Sequence, residues 1–383
     1  MERLGHDVEV VTALPHHLTG QIFQGYRGRF YIRDDYNGIR IHRTWVYAAQ
    51  GTGIKRLLGY LSFTITSLFG LAKCSKPDIL FIESPPLFLS IPGWLYAVWR
   101  KSSIVFNVSD LWPDVVEEFG VVRNKLLLRV ANLLERWAYS KATVVNAITN
   151  GVYERLLDAK HIPRDKILFL PNGVDAELFA PQAPDASLRA HIDPSGKSII
   201  LYAGTHGIAH GMEVILEAAT QLKKEPILFL LVGGGSAKEH LVRLASQKKL
   251  ENVRFLDPVP LDILPKYFSI ATASVATLID SQMSMRVRPA KMFASMAAGV
   301  PVIFSGEGEG ADLVRQADAG IVTSPGNASE LVQAVRLICS DSATRSRLAL
   351  NGRAFVQREF TWDQIVERWL VDLNKRLSQR RSS

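Results

Sequence analysis

Short apolar runs alternate with segments of helical period along most of the 383-residue chain. Runs rich in β-branched and aromatic residues predict strands, and apolar positions three and four apart between them predict amphipathic helices. The runs hold too few polar residues to alternate, which is typical of parallel strands covered on both faces. The pattern therefore predicts βαβ units and an α/β fold. The predicted strands are DVEVVT, GIRIHRT, DILFIE, SIVFNV, TVVNAI and KILFLP, followed by SIILYAG, ILFLLVG, VRFLDP, TASVAT, VPVIF and AGIVTS.

The pattern breaks at LPNGVDAELFAPQAPDASLRAHIDPSGK, which separates the two sets of strands. Asn172-Gly173 is a turn signal there, and prolines punctuate the stretch. A chain of 383 residues is long for one core. We therefore predict one Rossmann-like domain over residues 1–170 and another over 171–360. The helix over 361–383, with Thr361 as its cap, is expected to pack back toward the first domain.

The first domain begins unusually. Met1–Leu4 is typical of the last turn of a helix, and Gly5 is typical of its cap. Doubly wound domains open with a strand, a glycine-rich turn and a helix. We therefore expect residues 1–170 to lack the first strand and turn, which leaves the first sheet with an unpaired edge.

The net charge limits the classes of binding partner, and the cysteine content indicates the redox compartment. A formal net charge of +8 favours an anionic partner, either nucleic acid, a membrane surface or a phosphorylated substrate. No zinc-ligand spacing and no long Lys/Arg run occurs, so nucleic acid is not expected. Cys74 and Cys339 lie far apart in the sequence, which argues for a reducing compartment and against a metal site or disulfide framework. The charged start predicts no signal peptide.

Two apolar stretches, Leu57–Ala72 and Leu87–Trp99, are shorter than the roughly 20 residues of a membrane span. One interpretation is a pair of core-facing helices. The other is a membrane-docking face, with Trp94, Tyr96 and Trp99 at headgroup level. Its basic flanks would then meet anionic lipid. These flanks are Lys55, Arg56, Lys73, Arg100 and Lys101.

Glycine-rich turns follow two predicted strands of the second half, where open parallel sheets bind their ligands. Small residues let the backbone approach a phosphate, and the following helix N-terminus attracts it. The alternative is a pair of ordinary turns with exposed histidines. The first turn holds Gly204, Thr205, His206 and His210, and the second holds Gly234 and Gly235.

Three cations, Arg286, Arg288 and Lys291, stand at the start of a predicted helix that Gly299 ends. A helix N-terminus already carries partial positive charge, so this placement is unfavourable unless an anion sits among the cations. A pyrophosphate would satisfy that condition. The alternative is a solvated basic helix start.

Two carboxylates of the first half, Glu83 and Asp110, follow strands and are candidates to orient or deprotonate a hydroxyl. The alternative for Asp110 is a helix cap. The sequence contains no Walker loop, no His/Glu metal spacing and no setting for a Ser/His/Asp nucleophile.

The ordered stretches ESPPLFL, VSDLWPDVVEEFGV, LPNGVDAELFAP, LYAGTHGIAHGMEVILEAA, LLVGGGSAKEHLVRLA, NVRFLDPVP, RPAKMFASMAAGVPVIFSG and FTWDQIVERWL resemble the retaining nucleotide-sugar glycosyltransferases of family four. The branch most similar is that of cell-envelope polysaccharide synthesis, near the fucosamine transferases. The resemblance implies a GT-B fold with an interdomain cleft, a donor nucleotide sugar in the second domain and an acceptor in the first. It also implies retention of configuration, no cofactor and no metal.

The resemblance carries specific roles. Lys291, with Arg286 or Arg288, would hold the donor diphosphate, and Asp110 would position the acceptor beside Glu83. The expected donor is UDP-linked, and the expected acceptor is a lipid-linked sugar. The expected location is cytoplasmic, peripheral at the inner face of the cytoplasmic membrane.

Departures from the family pattern leave alternatives open. Many relatives carry Arg and Lys in the loop where this chain has Thr205 and His210. A family pair of glutamates, with seven residues between them, falls at Arg286 and Ala294. The second glutamate usually holds the ribose hydroxyls. A non-catalytic nucleotide-sugar-binding or assembly subunit is therefore an alternative, and a nucleotide-sugar 2-epimerase is a weaker one.

Overall fold

The computed structural model describes residues 1–16, 20–48, 54–114, 117 and 124–381. The chain forms two compact units. Unit 1 comprises Met1–Pro171 together with Val366–Ser383, and unit 2 comprises Asn172–Ile365. Each unit is built on parallel strands with helices between them, which confirms the predicted α/β class with two Rossmann-like domains.

Unit 1 contains two sheets. The first has the order β1-β3-β2, in which β1 (Glu9–Ala13) runs parallel and β2 (Tyr31–Tyr36) antiparallel to β3 (Ile39–Thr44). The second sheet is wholly parallel in the order β4-β5-β6-β7. Its strands are β4 (Ile79–Ser84), β5 (Ser103–Val108), β6 (Val144–Ala147) and β7 (Ile167–Phe169).

Strands β1 and β4 are both edge strands, because each has a ladder partner on one side only among the described residues. The Glu9 carboxylate, at the start of β1, accepts a hydrogen bond from the Ser75 N–H, four residues before β4 begins. The two open edges therefore begin at the same end of unit 1.

Helices α1 (Ile54–Lys73), α2 (Ser90–Arg100), α3 (Lys125–Lys141) and α4 (Asn150–Asp158) connect these strands. Glycines bring the first two helices close to the sheets. A Cβ on Gly70 would lie 2.7 Å from Val11 Cγ1, and one on Gly93 would lie 2.4 Å from Ile82 Cδ1. Asn124 and Thr149 cap α3 and α4 with their side-chain oxygens.

Unit 2 is built on one parallel sheet of order β10-β9-β8-β11-β12-β13. The strands are β8 (Ser198–Ala203), β9 (Ile227–Val232), β10 (Val253–Leu256), β11 (Ala273–Thr277), β12 (Val302–Ser305) and β13 (Gly320–Thr323). Every residue of β9 is buried, as its apolar sequence predicts.

The remaining helices are numbered in chain order. They are α5 (Ala186–Ile192), α6 (Glu213–Gln221), α7 (Lys238–Gln247), α8 (Leu264–Ser269), α9 (Ala290–Ala297), α10 (Glu309–Gln316), α11 (Ala328–Ser340), α12 (Ser342–Glu359) and α13 (Trp362–Arg381).

Helix α13 belongs to unit 1 from Val366 onward. Its Trp369 is buried in that unit, donates from Nε1 to Asn146 Oδ1 at 2.9 Å and contacts the ring of Phe81 edge-on. Among the helices that the structure describes, none is long and apolar enough to cross a membrane.

Candidate functional site

The chain enters the sheet of unit 2 at β8, builds β9 and β10 on one side, and then crosses to β11 on the other. The reversal lies between β8 and β11, and ligands of open parallel sheets bind beyond the carboxyl ends of strands at such a point. The loops there are residues 204–212 after β8, 233–237 after β9 and 278–289 after β11. They contain every residue that the sequence nominated in this half except Lys291 and Ala294, which are in helix α9.

Lys291 occupies the second position of α9 and reaches back to β8. Its ammonium donates to the Tyr202 hydroxyl at 2.5 Å and lies 3.8 Å from the centroid of that ring. The Tyr202 hydroxyl in turn donates to the Thr205 carbonyl at 2.8 Å. This chain of hydrogen bonds fixes the Lys291 ammonium beside the first glycine-rich turn.

Burial changes the protonation of the groups around Lys291. Desolvation lowers the pKa of Lys291 to about 7. Desolvation also lowers the pKa of His206 to about 4, with further contributions from the charges of Lys238 and Lys291. The pKa of His210 falls to about 4 for the same reason, with Lys291 again contributing. At neutral pH both histidines are therefore uncharged and present neutral ring N–H groups.

The two histidines also hold unused hydrogen-bonding capacity. Neither ring nitrogen of His206, nor Nδ1 of His210, makes a hydrogen bond of normal geometry with the described residues, although all three atoms are buried. Their rings stand edge-on to Tyr202, with centroids 5.6 and 6.4 Å away. Buried polar atoms of this kind normally have partners, so the two rings are candidate donors to a polar ligand.

Gly204 and Gly233 let the first two loops touch. A Cβ on Gly233 would lie 1.9 Å from the Gly204 carbonyl oxygen, and one on Gly204 would lie 3.1 Å from Lys291 Cε. The Gly204 N–H already donates to the Val232 carbonyl, and the His206 N–H donates to the Gly234 carbonyl. The Gly204 amide therefore already has a partner and is not free to bind a phosphate. Gly204 instead leaves room for the Lys291 side chain, which a Cβ at this position would approach closely.

The three cations prove to have different surroundings. Helix α9 begins at Ala290, so Arg286 and Arg288 precede it, and only Lys291 lies within its first turn. Arg288 pairs with Glu309, the first residue of α10, at 2.7 Å. Arg286 lies in a 3₁₀ turn and donates to the carbonyl of Gln282 at 3.3 Å. The predicted basic helix start is thus wrong in detail, because Arg286 and Arg288 precede the helix and Glu309 balances the charge of Arg288.

The other predicted donor residues lie at the same edge. Gly204 and Thr205 are exposed there, and Gly234 and Gly235 are partly exposed. Ala294 lies one turn beyond Lys291 in α9, and its methyl group packs against the main hydrophobic core of unit 2.

Unit 1 holds a separate polar cluster at the carboxyl ends of β4 and β5. Glu83 accepts hydrogen bonds from Asn107 Nδ2 at 2.9 Å and from the Ser109 hydroxyl. The Asp110 carboxyl follows β5, and desolvation together with the charge of Glu83 raises its pKa. Residues 112–113 form a turn after Asp110, and the helical state begins only at Asp114, so Asp110 does not occupy the N-cap position.

Sequence reasoning missed Tyr202, Asn107 and Lys238. Lys238 Nζ donates to the carbonyls of Gly233 and Leu256 at 2.8 Å each, which fixes the second glycine-rich turn. Asn107 is the polar residue within the apolar strand β5, and that was the available signal. Tyr202 gave none, because an aromatic residue in a buried strand is ordinary.

The geometry of unit 2 defines a class of protein. A cation, two neutral imidazoles and a helix N-terminus converge at the switch point of a parallel sheet, which is an arrangement for holding a phosphorylated ligand. Two family models match the chain: "Glycosyl transferase 4-like domain" over residues 1–173 and "Glycosyl transferases group 1" over residues 185–355. The chain belongs to the group 1 glycosyltransferases, which have the GT-B fold.

Curated relatives of this chain carry glycosyltransferase names. The colanic acid biosynthesis glycosyl transferase WcaI of Escherichia coli is 29% identical over 270 residues, which are 68% of this chain and 66% of that protein. The glycosyltransferase WbjE of Pseudomonas aeruginosa is 25% identical over 64% of this chain and 62% of its own length. The matched segments thus span just under two thirds of these relatives.

Solved structures share the fold over nearly the whole chain. A sucrose-phosphate synthase from Thermosynechococcus elongatus is 19% identical with a TM-score of 0.72, covering 97% of this chain and 100% of that one. HepE of Anabaena, solved in complex with UDP-glucose, is 17% identical with a TM-score of 0.70, covering 96% and 99%.

Proposed function

We propose that this chain transfers a sugar, with retention, from a nucleotide-diphosphate sugar to a lipid-linked or polysaccharide acceptor during cell-surface polysaccharide synthesis. The observation that carries the proposal is the cluster of Lys291, Tyr202, His206 and His210 at the switch point of unit 2. The UDP-glucose bound in a neighbouring structure supports a UDP-linked donor. The family membership supports transfer rather than binding alone.

The donor diphosphate would lie against Lys291 and the N-terminus of α9. As the bond between the anomeric carbon and the diphosphate oxygen breaks, negative charge develops on that oxygen. The Lys291 ammonium and the neutral imidazole N–H groups would stabilise this charge in a site that excludes much of the water. Arg288 is already paired with Glu309, so we assign it a supporting position near the anion. No metal or cofactor is needed for this step.

The acceptor hydroxyl would be held by unit 1, at Asp110 and Glu83. A carboxyl whose pKa is raised accepts a proton more readily than an ordinary one, which suits orientation or deprotonation of a hydroxyl. The new bond joins the acceptor oxygen to the anomeric carbon, and the acceptor proton leaves to Asp110 or to the departing diphosphate. A fucosamine-type sugar in donor or acceptor remains part of the proposal, on the resemblance given above.

One observation favours a second candidate, a nucleotide-sugar-binding subunit without catalysis. Ala294 presents a methyl group where relatives place a carboxylate for the ribose, so affinity for the nucleoside is expected to be weak. Release of nucleoside diphosphate from a panel of UDP- and GDP-linked sugars, with a lipid-linked acceptor present, separates the two candidates. Binding without any release would favour the non-catalytic subunit.

Calorimetric titration with uridine and guanosine diphosphates tests the site itself. Lys291→Ala should weaken binding by about 1.5–3 kcal/mol, the usual value for a charge-assisted hydrogen bond. Ala294→Glu should strengthen it. The matched control is Lys224→Ala. Lys224 is an exposed lysine just before β9, at the amino ends of the strands and away from the site, so this variant should bind like the wild type. Unchanged binding by Lys291→Ala would contradict the site assignment.

A further inference from the structure

The solvent-facing sides of three neighbouring helices in unit 1 are apolar. In α1, Leu61, Ile65 and Leu68 are exposed, and in α2 the exposed residues are Ile91, Leu95 and Val98. In α3 they are Leu126, Val130 and Leu133. Each set follows the spacing of three and four residues that normally points an apolar stripe into a core. Here the stripes point outward, and Ile65, Val98 and Leu133 expose 70%, 59% and 64% of their surface.

The three helices are neighbours, and we call their exposed apolar residues together the three-helix face. Helix α1 packs against β1, β3 and α2, and α2 packs against β4, β5 and α3. The rings of Trp94 in α2 and Trp137 in α3 meet edge-on with centroids 5.5 Å apart. Exposed apolar patches of this extent normally mark a protein–protein or membrane contact.

Charge on the three-helix face is of one sign. Helices α1 and α2 contain no Asp or Glu, and the single acidic residue of α3, Glu135, is buried. Each helix ends in a cation that lies over an aromatic ring. Lys73 lies 5.2 Å from the Phe69 centroid, Arg100 lies 3.9 Å from Trp99, and Lys141 lies 5.8 Å from Trp94. Arg129 and Arg136 add exposed charge on α3.

We infer that the three-helix face docks onto an anionic lipid leaflet, with the apolar stripes entering the headgroup–acyl boundary and the cations contacting lipid phosphates. A second copy of this chain fits less well, because pairing two such faces would bring like charges together with no carboxylate between them. This inference rests on the proposed function, since a lipid-linked acceptor is presented at a membrane surface. It adds α3 to the two segments that the sequence had nominated. Tyr96, which the sequence placed at headgroup level, is instead buried and donates to the Ser75 carbonyl at 3.0 Å, so it is not part of this face.

The test is flotation with vesicles of phosphatidylcholine, with and without about one third phosphatidylglycerol. Wild type should float with the anionic vesicles, and raising salt from about 0.1 to 1 M should weaken flotation, because the Debye length shrinks from about 10 to 3 Å. Ile65→Glu, Val98→Glu and Leu133→Glu should each reduce vesicle binding by about tenfold or more, as expected when a buried aliphatic side chain is lost from the contact. Arg129→Glu with Arg136→Glu should reduce only the anionic component.

The matched control is Leu350→Glu, which introduces the same charge at a leucine of α12 in unit 2 that is also 70% exposed. This variant should float like the wild type. Equal flotation of the three face variants and the control would overturn the inference. So would a wild type that forms dimers which Val98→Glu dissociates, since the face would then serve a second copy. Nucleoside diphosphate binding is measured in parallel. A wild type that does not bind nucleoside diphosphate would contradict the proposed function and not the docking surface.

Discussion

At the scale of single residues, desolvation of Lys291 links the site to pH. With a pKa of about 7, the Lys291 amine is only partly protonated at neutral pH. A diphosphate placed against it favours the charged form and raises the pKa again. The electrostatic repulsion between the three cations and the helix N-terminus is thus smaller than the sequence indicates. Glu309 pairs with Arg288, and Lys291 can lose its proton.

Binding of uridine diphosphate should therefore take up a proton above pH 7. Affinity should be nearly constant below the pKa of the empty site and should fall by up to about tenfold per pH unit above it, until the pKa of the bound state is reached. Calorimetry at pH 8 in two buffers of different ionisation enthalpy measures the proton directly. Lys291→Met should abolish the difference between buffers, and identical heats for the wild type would argue against the linkage.

The candidate site could be predicted from sequence only where a residue type is unusual for its position. Lys291, His206 and His210 stood out because polar groups at strand ends are informative. The pairing of Arg288 with Glu309 could not be predicted, since it depends on how two loops meet in space. Tyr202 gave no signal in the sequence, because its ring is ordinary core and only the structure shows that its hydroxyl contacts Lys291.

At the scale of elements, α3 is anchored to unit 1 by a buried ion pair. Glu135 exposes 1% of its surface and accepts from Lys160 Nζ at 2.7 Å and from the Tyr139 hydroxyl at 2.9 Å. Lys160 also pairs with Asp114 at 2.6 Å. Desolvation raises the pKa of Glu135, and the hydrogen bond and charge of Lys160 oppose that rise.

Lys160→Met should destabilise unit 1 by about 3–5 kcal/mol, because it leaves the buried Glu135 carboxylate without a counter-charge. The loss should be small below the unfolded pKa of a glutamate, where the carboxyl is protonated, and should grow as pH rises through its raised folded value. Thermal unfolding as a function of pH measures this. Addition of Glu135→Gln should restore much of the stability at neutral pH; a double variant as unstable as Lys160→Met would exclude charge burial as the cause.

Element prediction found the strands with apolar or β-branched runs in both units, including the partly exposed β1 and β3, and missed β2. All six strands predicted in the second half occur in unit 2, because a continuous apolar run has few other solutions in a parallel sheet. Strand β2, with the sequence YIRDDY, was missed because its charged residues face water on an antiparallel edge. The Asn37-Gly38 turn that joins it to β3 was the available signal.

At the scale of the whole molecule, the open edges of β1 and β4 create a risk of association. Edge strands with exposed apolar side chains pair readily with other chains. Val10 in β1 is exposed, whereas its neighbour Val11 packs against α1. We expect the 383-residue chain to associate in a concentration-dependent way, and Val10→Lys to reduce the associated fraction several-fold in sedimentation velocity. Ile65→Glu controls for association through the three-helix face; if Val10→Lys leaves sedimentation unchanged, the edges are not responsible.

Unit 2 is one continuous stretch of the chain and unit 1 is two, so we expect that only unit 2 can be expressed as a single separate piece. Unit 2 is a single uninterrupted stretch, Asn172–Ile365, inserted into a unit 1 whose two parts meet where Trp369 bonds to Asn146. Residues 172–365 expressed alone should therefore fold and bind uridine diphosphate, since the predicted donor residues are all among them. Residues 1–171 alone should bind a synthetic peptide of residues 366–381 in calorimetric titration, because Trp369 of the peptide can reach Asn146. Trp369→Ala in the peptide should abolish the binding heat. A gene encoding unit 2 can thus be exchanged as a cassette, whereas unit 1 can be exchanged only by replacing both flanks at once.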